Sequence, residues 1–257
     1  MPTGIFDSGV GGLSVLREIK ELLPRQDLLY YADSAYCPYG VRDPAEIRAR
    51  SLAIARFLVE QGAGLIVVAC NTASIAALEC LREQIPTPVV GMEPAVKPAA
   101  AATRNGRVGV LATAVTLAGA RYNNLKEKYA AGIEVVAAPC PGLVEMVEAG
   151  STFGPAVDEL LAPCLARLLD RGVDTVVLGS THYHFLRDAV QRLAGPNVLV
   201  IDTAAAVARR TREVLGVRAN GEEGRIRFFT SGRAAVVQPV MRRLLNDPRI
   251  EVTEKAL

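Results

Sequence analysis

Short runs of apolar, mostly β-branched residues recur along the chain and alternate with longer stretches of helical periodicity. Several of these runs have no polar alternation, which is typical of strands buried on both faces of a parallel sheet. The alternation predicts an α/β fold in which crossover helices flank mainly parallel sheets. The predicted strands are Gly4–Phe6, Leu28–Tyr31, Leu65–Ala69, Val89–Gly91, Val108–Leu111, Glu134–Ala137, Thr175–Leu178, Val198–Ile201 and Ile226–Phe229, and the predicted helices include Pro44–Gln61, Ala156–Arg171 and Thr203–Leu215.

A weak internal repeat accompanies this pattern. Gly4–Ser8 resembles Val108–Thr113, and Leu65–Thr72 resembles Asp174–Thr181. In each half an apolar strand leads to a small nucleophilic side chain, although buried strands of α/β proteins resemble one another in any case. The repeat favours two similar α/β domains facing each other across a cleft. We expect residues 1–95 with about 210–257 in the first domain, about 96–209 in the second, a crossing at Pro94–Pro98 and a loop after Leu215.

Composition excludes several classes of protein. The net charge is +2, half of the residues are hydrophobic, and the arginines are scattered, so a nucleic-acid partner is not expected. No apolar run is long enough to cross a membrane, and the first residues do not resemble a secretion signal. Five cysteines without C-x-x-C spacing and only two histidines predict neither a disulfide framework nor a zinc site. A cytoplasmic protein is the resulting expectation.

Polar residues that follow the predicted strands are the candidates for function, because ligands of open α/β sheets bind beyond the carboxyl ends of the strands. The glycine-rich segment Asp7–Gly12 lacks the last glycine of a dinucleotide loop, since position 14 is serine. Its backbone N–H groups are expected to bind a small anion, unless it is only a tight turn. The other candidates at strand ends are Asp33, Ser34, Cys70, Asn71, Thr72, Thr113, Ser180, Thr181 and His182.

Cys70 ends a buried strand and precedes residues that open a helix, where free N–H groups favour a thiolate. The alternative is inert packing, which we expect of Cys37, Cys80, Cys140 and Cys164. His182 suits a general acid or base, or a histidine satisfied by local backbone. His184 is expected behind the site or at the surface, and Glu145 and Glu148 could reach a cleft.

Taken together, these segments resemble the glutamate racemase family. The resemblance rests on Phe6–Leu13, Asp33–Gly40, Ala69–Ala73, Val147–Gly150 and Leu178–Tyr183, which occur in the family's order over most of the chain. It implies an active site in the cleft between two domains, glutamate as substrate, no cofactor, no metal, and a homodimer in many relatives. It also implies a role in supplying D-glutamate for peptidoglycan.

The resemblance further implies two cysteines on opposite faces of the substrate Cα, one removing a proton and the other delivering one. Cys70 matches the first cysteine, Asp7 the residue that assists it, and His182 the histidine that assists the second. Asp33 and Glu148 match carboxylates near the site. The positions that match substrate contacts are Ser8, Tyr39, Gly40, Asn71, Thr72 and Thr181, with Thr113 added from its place at a strand end.

One position departs from the family pattern, because Ser180 stands where the second cysteine is expected. Serine is nearly isosteric with cysteine but is a much poorer acid or base, so little or no racemisation is expected. An engineered substitution and natural divergence both explain the serine, and its intact surroundings favour the first.

Three other functions stay open. A decarboxylase with a single cysteine matches poorly, because its cysteine would occupy position 180. An amino-acid-binding or regulatory protein could have kept the cleft and lost turnover. A racemase could also act on aspartate or another amino acid.

Overall fold

The computed structural model describes residues 1–93, 95–118, 120–216 and 223–257. Its strands are β1 (Thr3–Asp7), β2 (Leu28–Ala32), β3 (Leu65–Val68), β4 (Val89–Val90), β5 (Arg107–Ala112), β6 (Glu134–Pro139), β7 (Thr175–Leu178), β8 (Leu199–Ile201), β9 (Ile226–Thr230) and β10 (Val252–Glu254). Its helices are α1 (Leu13–Leu22), α2 (Pro44–Glu60), α3 (Asn71–Gln84), α4 (Val96–Ala102), α5 (Ala114–Ala118), α6 (Ala120–Tyr129), α7 (Leu143–Glu148), α8 (Pro155–Leu169), α9 (Arg187–Ala194), α10 (Ala204–Leu215) and α11 (Ala234–Leu245). Short 3₁₀ turns occupy Ser34–Tyr36, Tyr39–Val41 and His182–Leu186.

The strands form two sheets in which every described pairing is parallel. The first sheet has six strands in the order β10-β9-β2-β1-β3-β4, and the second has four in the order β6-β5-β7-β8. The order β2-β1-β3-β4 of the first sheet recurs in the second, so β3 and β7 hold equivalent places beside the central strands β1 and β5. This agreement supports the predicted repeat. The predicted α/β class with two parallel sheets and flanking helices is confirmed.

The central strands are buried because helices cover both faces of each sheet. Ile5 of β1 packs into one hydrophobic cluster and its neighbour Phe6 into the cluster on the opposite face. Tyr30 and Tyr31 of β2 divide in the same way. Successive side chains of a strand point to opposite faces, so a run without polar residues is what this environment requires.

The predicted strands all occur, with ends shifted by one or two residues, whereas β10 was not predicted. Pro44 and Pro155 begin α2 and α8 as expected of proline in a first helical turn. The predicted crossing Pro94–Pro98 partly coincides with α4, and Pro94 itself lies outside the described residues. The loop predicted after Leu215 begins at Gly216, which ends α10 in a left-handed conformation (φ 60°). Residues 217–222 of that loop lie outside the described residues.

Among the described residues, no helix combines the length and the apolar character that crossing a bilayer requires. The division into domains at residues 95 and about 210 stays a prediction.

Candidate active site

Cys70 and Ser180 follow the equivalent strands β3 and β7 and line one cavity between the two sheets. Cys70 is the N-cap of α3, and its Sγ accepts a hydrogen bond from the N–H of Ala73 at 3.4 Å. Ser180 is buried two residues before the 3₁₀ turn that starts at His182. The same cavity is lined by most of the other predicted site residues, namely Ser8, Tyr39, Gly40, Asn71, Thr72, Thr113, Thr181 and His182.

Asp7 lies at the end of β1, fully buried beneath this cavity. Its Oδ2 accepts hydrogen bonds from the N–H groups of Gly9 at 3.2 Å and Gly12 at 3.0 Å. Its Oδ1 is buried and has no hydrogen-bond partner among the described residues. Burial raises the pKa of Asp7, and the nearby Glu148 carboxylate adds to that rise, although His182 partly offsets it. Asp7 is therefore an acid group held inside the protein, with one oxygen unsatisfied.

The glycine-rich loop differs from the prediction made for it. The N–H groups of Gly9 and Gly12 donate to Asp7, and the N–H of Val10 donates to Glu148 at 2.7 Å. The prediction that these three amides bind a small anion is therefore wrong, because carboxylates of the protein already accept their hydrogen bonds.

Close packing explains why glycines occupy this loop. A Cβ atom at Gly9 would lie 2.0 Å from Oε1 of Glu148, and one at Gly11 would lie 2.5 Å from Nδ1 of His182. Real Cβ atoms do not make contacts this short. The glycines thus allow the backbone of the first half to approach two side chains of the second half.

The Cys70 thiol is in a less favourable environment for ionisation than its place at a helix N-terminus predicts. Burial raises the pKa of Cys70, and the negative charge of Asp7 raises it further, while N–H groups of Ala73 and Ser8 act in the opposite direction. Burial therefore outweighs the helix terminus here. Cys70 is therefore held as a thiol, next to the carboxyl group of Asp7.

His182 and Glu148 form an ion pair on the Ser180 side of the cavity. Nε2 of His182 lies 2.6 Å from Oε1 of Glu148. Burial alone would lower the pKa of His182, but the hydrogen bond and charge of Glu148 raise it overall. Burial would likewise raise the pKa of Glu148, but its bond to His182 lowers it overall. Each partner thus stabilises the charged form of the other.

Asp33 acts on the cavity through a neighbour. It is completely buried at the end of β2, and its Oδ2 accepts a hydrogen bond from the Tyr39 hydroxyl at 2.5 Å. The Arg50 guanidinium binds the same carboxylate with two N–H groups, at 2.7 Å and 3.0 Å. Asp33 and Arg50 therefore hold Tyr39, which in turn lines the cavity.

Several residues near the site were missed by the sequence analysis. The Thr116 hydroxyl lies 3.0 Å from that of Thr113 and 3.4 Å from that of Thr72, and Thr116 lines the cavity with Pro38, Val144 and Gly179. Arg50 could have been suspected because its spacing from Ile47 and Ile54 puts it on the apolar face of α2. Threonine and valine on helices carry no such signal.

His184 and Cys37 lie in places that the sequence left open or assigned differently. His184 is buried, and its Nδ1 lies 3.1 Å from the Ser14 hydroxyl, so it is not a surface residue. Burial lowers the pKa of His184 to about 4. Cys37 was expected only to pack, but its Sγ lies within 4.8 Å of ligand atoms of both Glu148 and His182.

Comparison with known proteins identifies the family to which this chain belongs. The family model Asp/Glu/Hydantoin racemase matches residues 8–211. The chain belongs to the Asp/Glu/Hydantoin racemase family. Within this family it is 51% identical to the glutamate racemase of Pseudomonas aeruginosa over 95% of this chain and 94% of the relative. It is 49% identical to the glutamate racemase of Herpetosiphon aurantiacus over 91% of this chain and 94% of the relative.

A solved structure of the family gives the same result. The structure of Escherichia coli glutamate racemase in complex with L-glutamate and the activator UDP-MurNAc-Ala superposes with a TM-score of 0.88. It is 36% identical in sequence, and the match covers 99% of this chain and 98% of the other. The predicted resemblance to glutamate racemase is confirmed. The roles of individual residues stay predictions.

Proposed function

We propose that this chain carries the active site of a cofactor-independent glutamate racemase, in which positions 70 and 180 exchange protons with the two faces of the substrate Cα. The observation that carries the proposal is that Cys70 and Ser180, at the ends of equivalent strands, line one cavity. A two-base inversion needs one proton-transfer group on each side of the carbon, and equivalent places in two facing sheets supply that arrangement.

The polar lining of the cavity suits an amino acid. Among the residues that the structure describes, the side-chain oxygen and nitrogen of Asn71 are both buried without a hydrogen-bond partner, although Asn71 lines the cavity. An unsatisfied buried amide costs free energy that a bound ligand recovers. Hydroxyl groups of Ser8, Thr72 and Thr181 are available in the same cavity for carboxylate or ammonium groups.

The two sides of the proposed reaction have different helpers. On one side, Asp7 accepts the proton of Cys70, and the resulting thiolate removes the proton from Cα. On the other side, the group at position 180 delivers a proton to the opposite face, and His182 with Glu148 supplies or receives that proton. The carbon loses one proton and gains another, so its configuration inverts and no other bond changes.

Ser180 makes the second side weak. A serine hydroxyl has no acidity near neutrality comparable with that of a thiol, so it neither delivers nor removes the Cα proton at a useful rate. We therefore expect this chain to exchange the Cα hydrogen of one enantiomer through Cys70 but to racemise very slowly or not at all.

Restoring the second thiol tests the assignment. We expect Ser180→Cys to interconvert L- and D-glutamate, measured by circular dichroism, at a rate at least about 100-fold above that of the parent chain, as general acid–base catalysis contributes. The controls are Ser180→Ala, which should remain inactive, and Cys70→Ala in the Ser180→Cys background, which should abolish the gain. Absence of any gain in Ser180→Cys would overturn the role of position 180.

Hydrogen exchange separates the enzyme from a protein that only binds amino acids. In deuterium oxide, NMR should show loss of the Cα proton from one glutamate enantiomer with the parent chain and no loss with Cys70→Ala. Exchange of neither enantiomer would favour the binding or regulatory alternative. A panel of amino acids with Ser180→Cys tests aspartate and other substrates.

The biological setting follows the same proposal. Supply of D-glutamate for peptidoglycan, a cytoplasmic location and a homodimer are its remaining parts. The location is supported by the absence of disulfides among the described cysteines. Sedimentation of the purified chain tests the dimer.

A further inference from the structure

Three potential metal ligands converge beside the Ser180 side of the cavity. A carboxylate oxygen of Glu148, a ring nitrogen of His182 and Sγ of Cys37 all lie within 4.8 Å of one another. They come from three separate parts of the chain: the loop after β2, the end of α7 and the turn after β7. No sequence motif links them, which is why the spacing of cysteines and histidines gave no sign of this cluster.

We propose that Cys37, Glu148 and His182 form a binding site for a borderline-soft divalent cation such as Zn²⁺, which regulates the active site by capturing His182. Thiolate, imidazole and carboxylate together are ligands that zinc prefers, whereas Mg²⁺ and Ca²⁺ prefer oxygen ligands alone. Three protein ligands leave a fourth position for water.

The ligand atoms of His182 and Glu148 need only a small adjustment, and Sγ of Cys37 lies within 4.8 Å of both. Zinc binds nitrogen and oxygen at about 2.0–2.2 Å and sulfur at about 2.3 Å, so tetrahedral angles place its ligand atoms roughly 3.3–3.7 Å apart. The present separation of His182 Nε2 and Glu148 Oε1 is 2.6 Å. Opening this hydrogen bond by less than ~1 Å makes room for the ion.

A second cavity gives a cation access from solvent. Cys37 and Glu148 line this cavity of about 630 Å³, which adjoins the substrate cavity and shares Pro38 and Val144 with it. Glu145 and Glu254 also line it, against Arg233 as the basic residue of the lining. The excess of carboxylates favours entry of a cation.

Binding replaces protons at the ligand atoms. The Cys37 thiol loses its proton to become a thiolate, and at a pH below about 6.5, where His182 is protonated, Nε2 loses its proton as well. Glu148 is already a carboxylate. One Zn²⁺ therefore binds with release of about two protons, and the charge balances.

The consequence for the active site rests on the proposed function. Once Nε2 of His182 binds the metal, it no longer exchanges a proton with Glu148 or relays one toward position 180. Glu148 is also withdrawn from the pair. Binding of the cation should therefore switch off the Ser180 side of the cavity while leaving Cys70 and Asp7 untouched.

Cobalt provides a probe of the site that does not depend on activity. Titration of the parent chain with Co²⁺ should produce a thiolate-to-cobalt charge-transfer band in the near ultraviolet, and Zn²⁺ should abolish it by displacement. Cys37→Val, of similar size, should lose the band and weaken Zn²⁺ binding at least about 100-fold, since loss of even an outer partner costs 10–100-fold. The matched control Cys80→Val, on α3 away from the cluster, should keep the band.

Two further measurements test the metal site independently of the cobalt band. Release of about two protons per Zn²⁺ from the unaltered chain at a pH below about 6.5, followed with an indicator dye, tests the ligand set even if Cys37→Val fails to fold. Zn²⁺ should also inhibit racemisation by Ser180→Cys, and the added substitution Cys37→Val should relieve that inhibition.

The proposed metal site is wrong if no cobalt band appears, or if the band persists in Cys37→Val. A band in a chain that never acts on glutamate leaves the site standing and rejects the proposed function instead.

Discussion

Glu148 Oε1 lies 2.6 Å from His182 Nε2, and the same oxygen accepts the N–H of Val10 at 2.7 Å. One carboxylate therefore joins a turn of the second sheet to the glycine-rich loop of the first. The contact fixes the imidazole beside the cavity, and Glu148 raises the pKa of His182 more than Asp7 and Glu145 do.

The first prediction concerns the charge of His182. Glu148→Gln keeps the shape of the side chain but removes its charge, which leaves burial as the main influence on His182. We expect the pKa of His182 to fall below its ordinary value of 6.5. An NMR titration of the two histidine rings measures it, with His184 as an internal reference because burial already lowers its pKa to about 4. An unchanged pKa of His182 would contradict the ion pair.

The second prediction is a dependence of stability on pH. The pKa of His182 is raised, so its contribution is complete below about 6.5 and is lost as the pH rises through the folded value. The pKa of Glu148 is lowered, so its contribution is present above about 4.5 and is lost as the pH falls through the folded value. The parent chain should therefore exceed Glu148→Gln in free energy of unfolding most clearly between these two values.

The size of that difference follows from exposure. Loss of one partner of a fully buried ion pair costs about 3–5 kcal/mol, and the Glu148 side chain is 21% exposed, so we expect about 1–3 kcal/mol. Chemical denaturation at several pH values measures it. A difference that stays constant from acid to alkaline pH would disagree with the assignment.

The third prediction concerns Arg50, which binds the buried Asp33 carboxylate. Arg50→Met leaves that carboxylate without its cation, which should lower the free energy of unfolding by about 3–5 kcal/mol. Arg210→Met is the matched control, because the pair of Arg210 with Glu213 is exposed on both sides. Its loss should stay below about 1 kcal/mol. Equal losses of unfolding free energy in Arg50→Met and Arg210→Met, measured by thermal or chemical unfolding, would show that the buried pair of Arg50 with Asp33 contributes no more than an exposed pair.

The fourth prediction tests the close approach at Gly9. Gly9→Ala places a methyl group where Oε1 of Glu148 now lies, so the carboxylate must leave both Val10 and His182. We expect a loss of about 1–3 kcal/mol, as for other overpacked sites, and a fall in the pKa of His182. Gly64→Ala is the control, since its new methyl meets only the side chain of the exposed Met1. That control should change stability by no more than about 0.5 kcal/mol.

The sequence predicts the strands of this fold well because a strand that is buried on both faces consists almost entirely of apolar residues. Phe6, Tyr31 and Val68 belong to apolar runs that no surface strand would need. β10 was not predicted because it is an edge strand in which only Val252 is buried and the following residues face solvent. Such a strand contains no apolar run.

The site is predicted less completely, for a different reason. Residues at strand ends, such as Cys70 and Ser180, are found because topology brings strand ends together. The partners that give them chemical character come from distant parts of the chain, as Glu148 does for His182 and Arg50 does for Asp33. Spacing in a sequence contains no information about such tertiary pairs. The N–H of Val10 illustrates the point, since its acceptor Glu148 lies in the other half.

The strand order of the first sheet has a consequence for how the chain folds during synthesis. β2 pairs with β9, so Leu28 cannot pair with Ile226 until that late part of the chain has been synthesised. Every strand of the second sheet, in contrast, lies between Arg107 and Ile201. The half that begins later on the ribosome can therefore close first. Until β9 emerges, one edge of β2 presents unpaired backbone groups beside Tyr30 and Tyr31, a surface on which nascent chains associate wrongly. The late return of the chain thus leaves this edge of β2 open to misassembly until the last two strands appear.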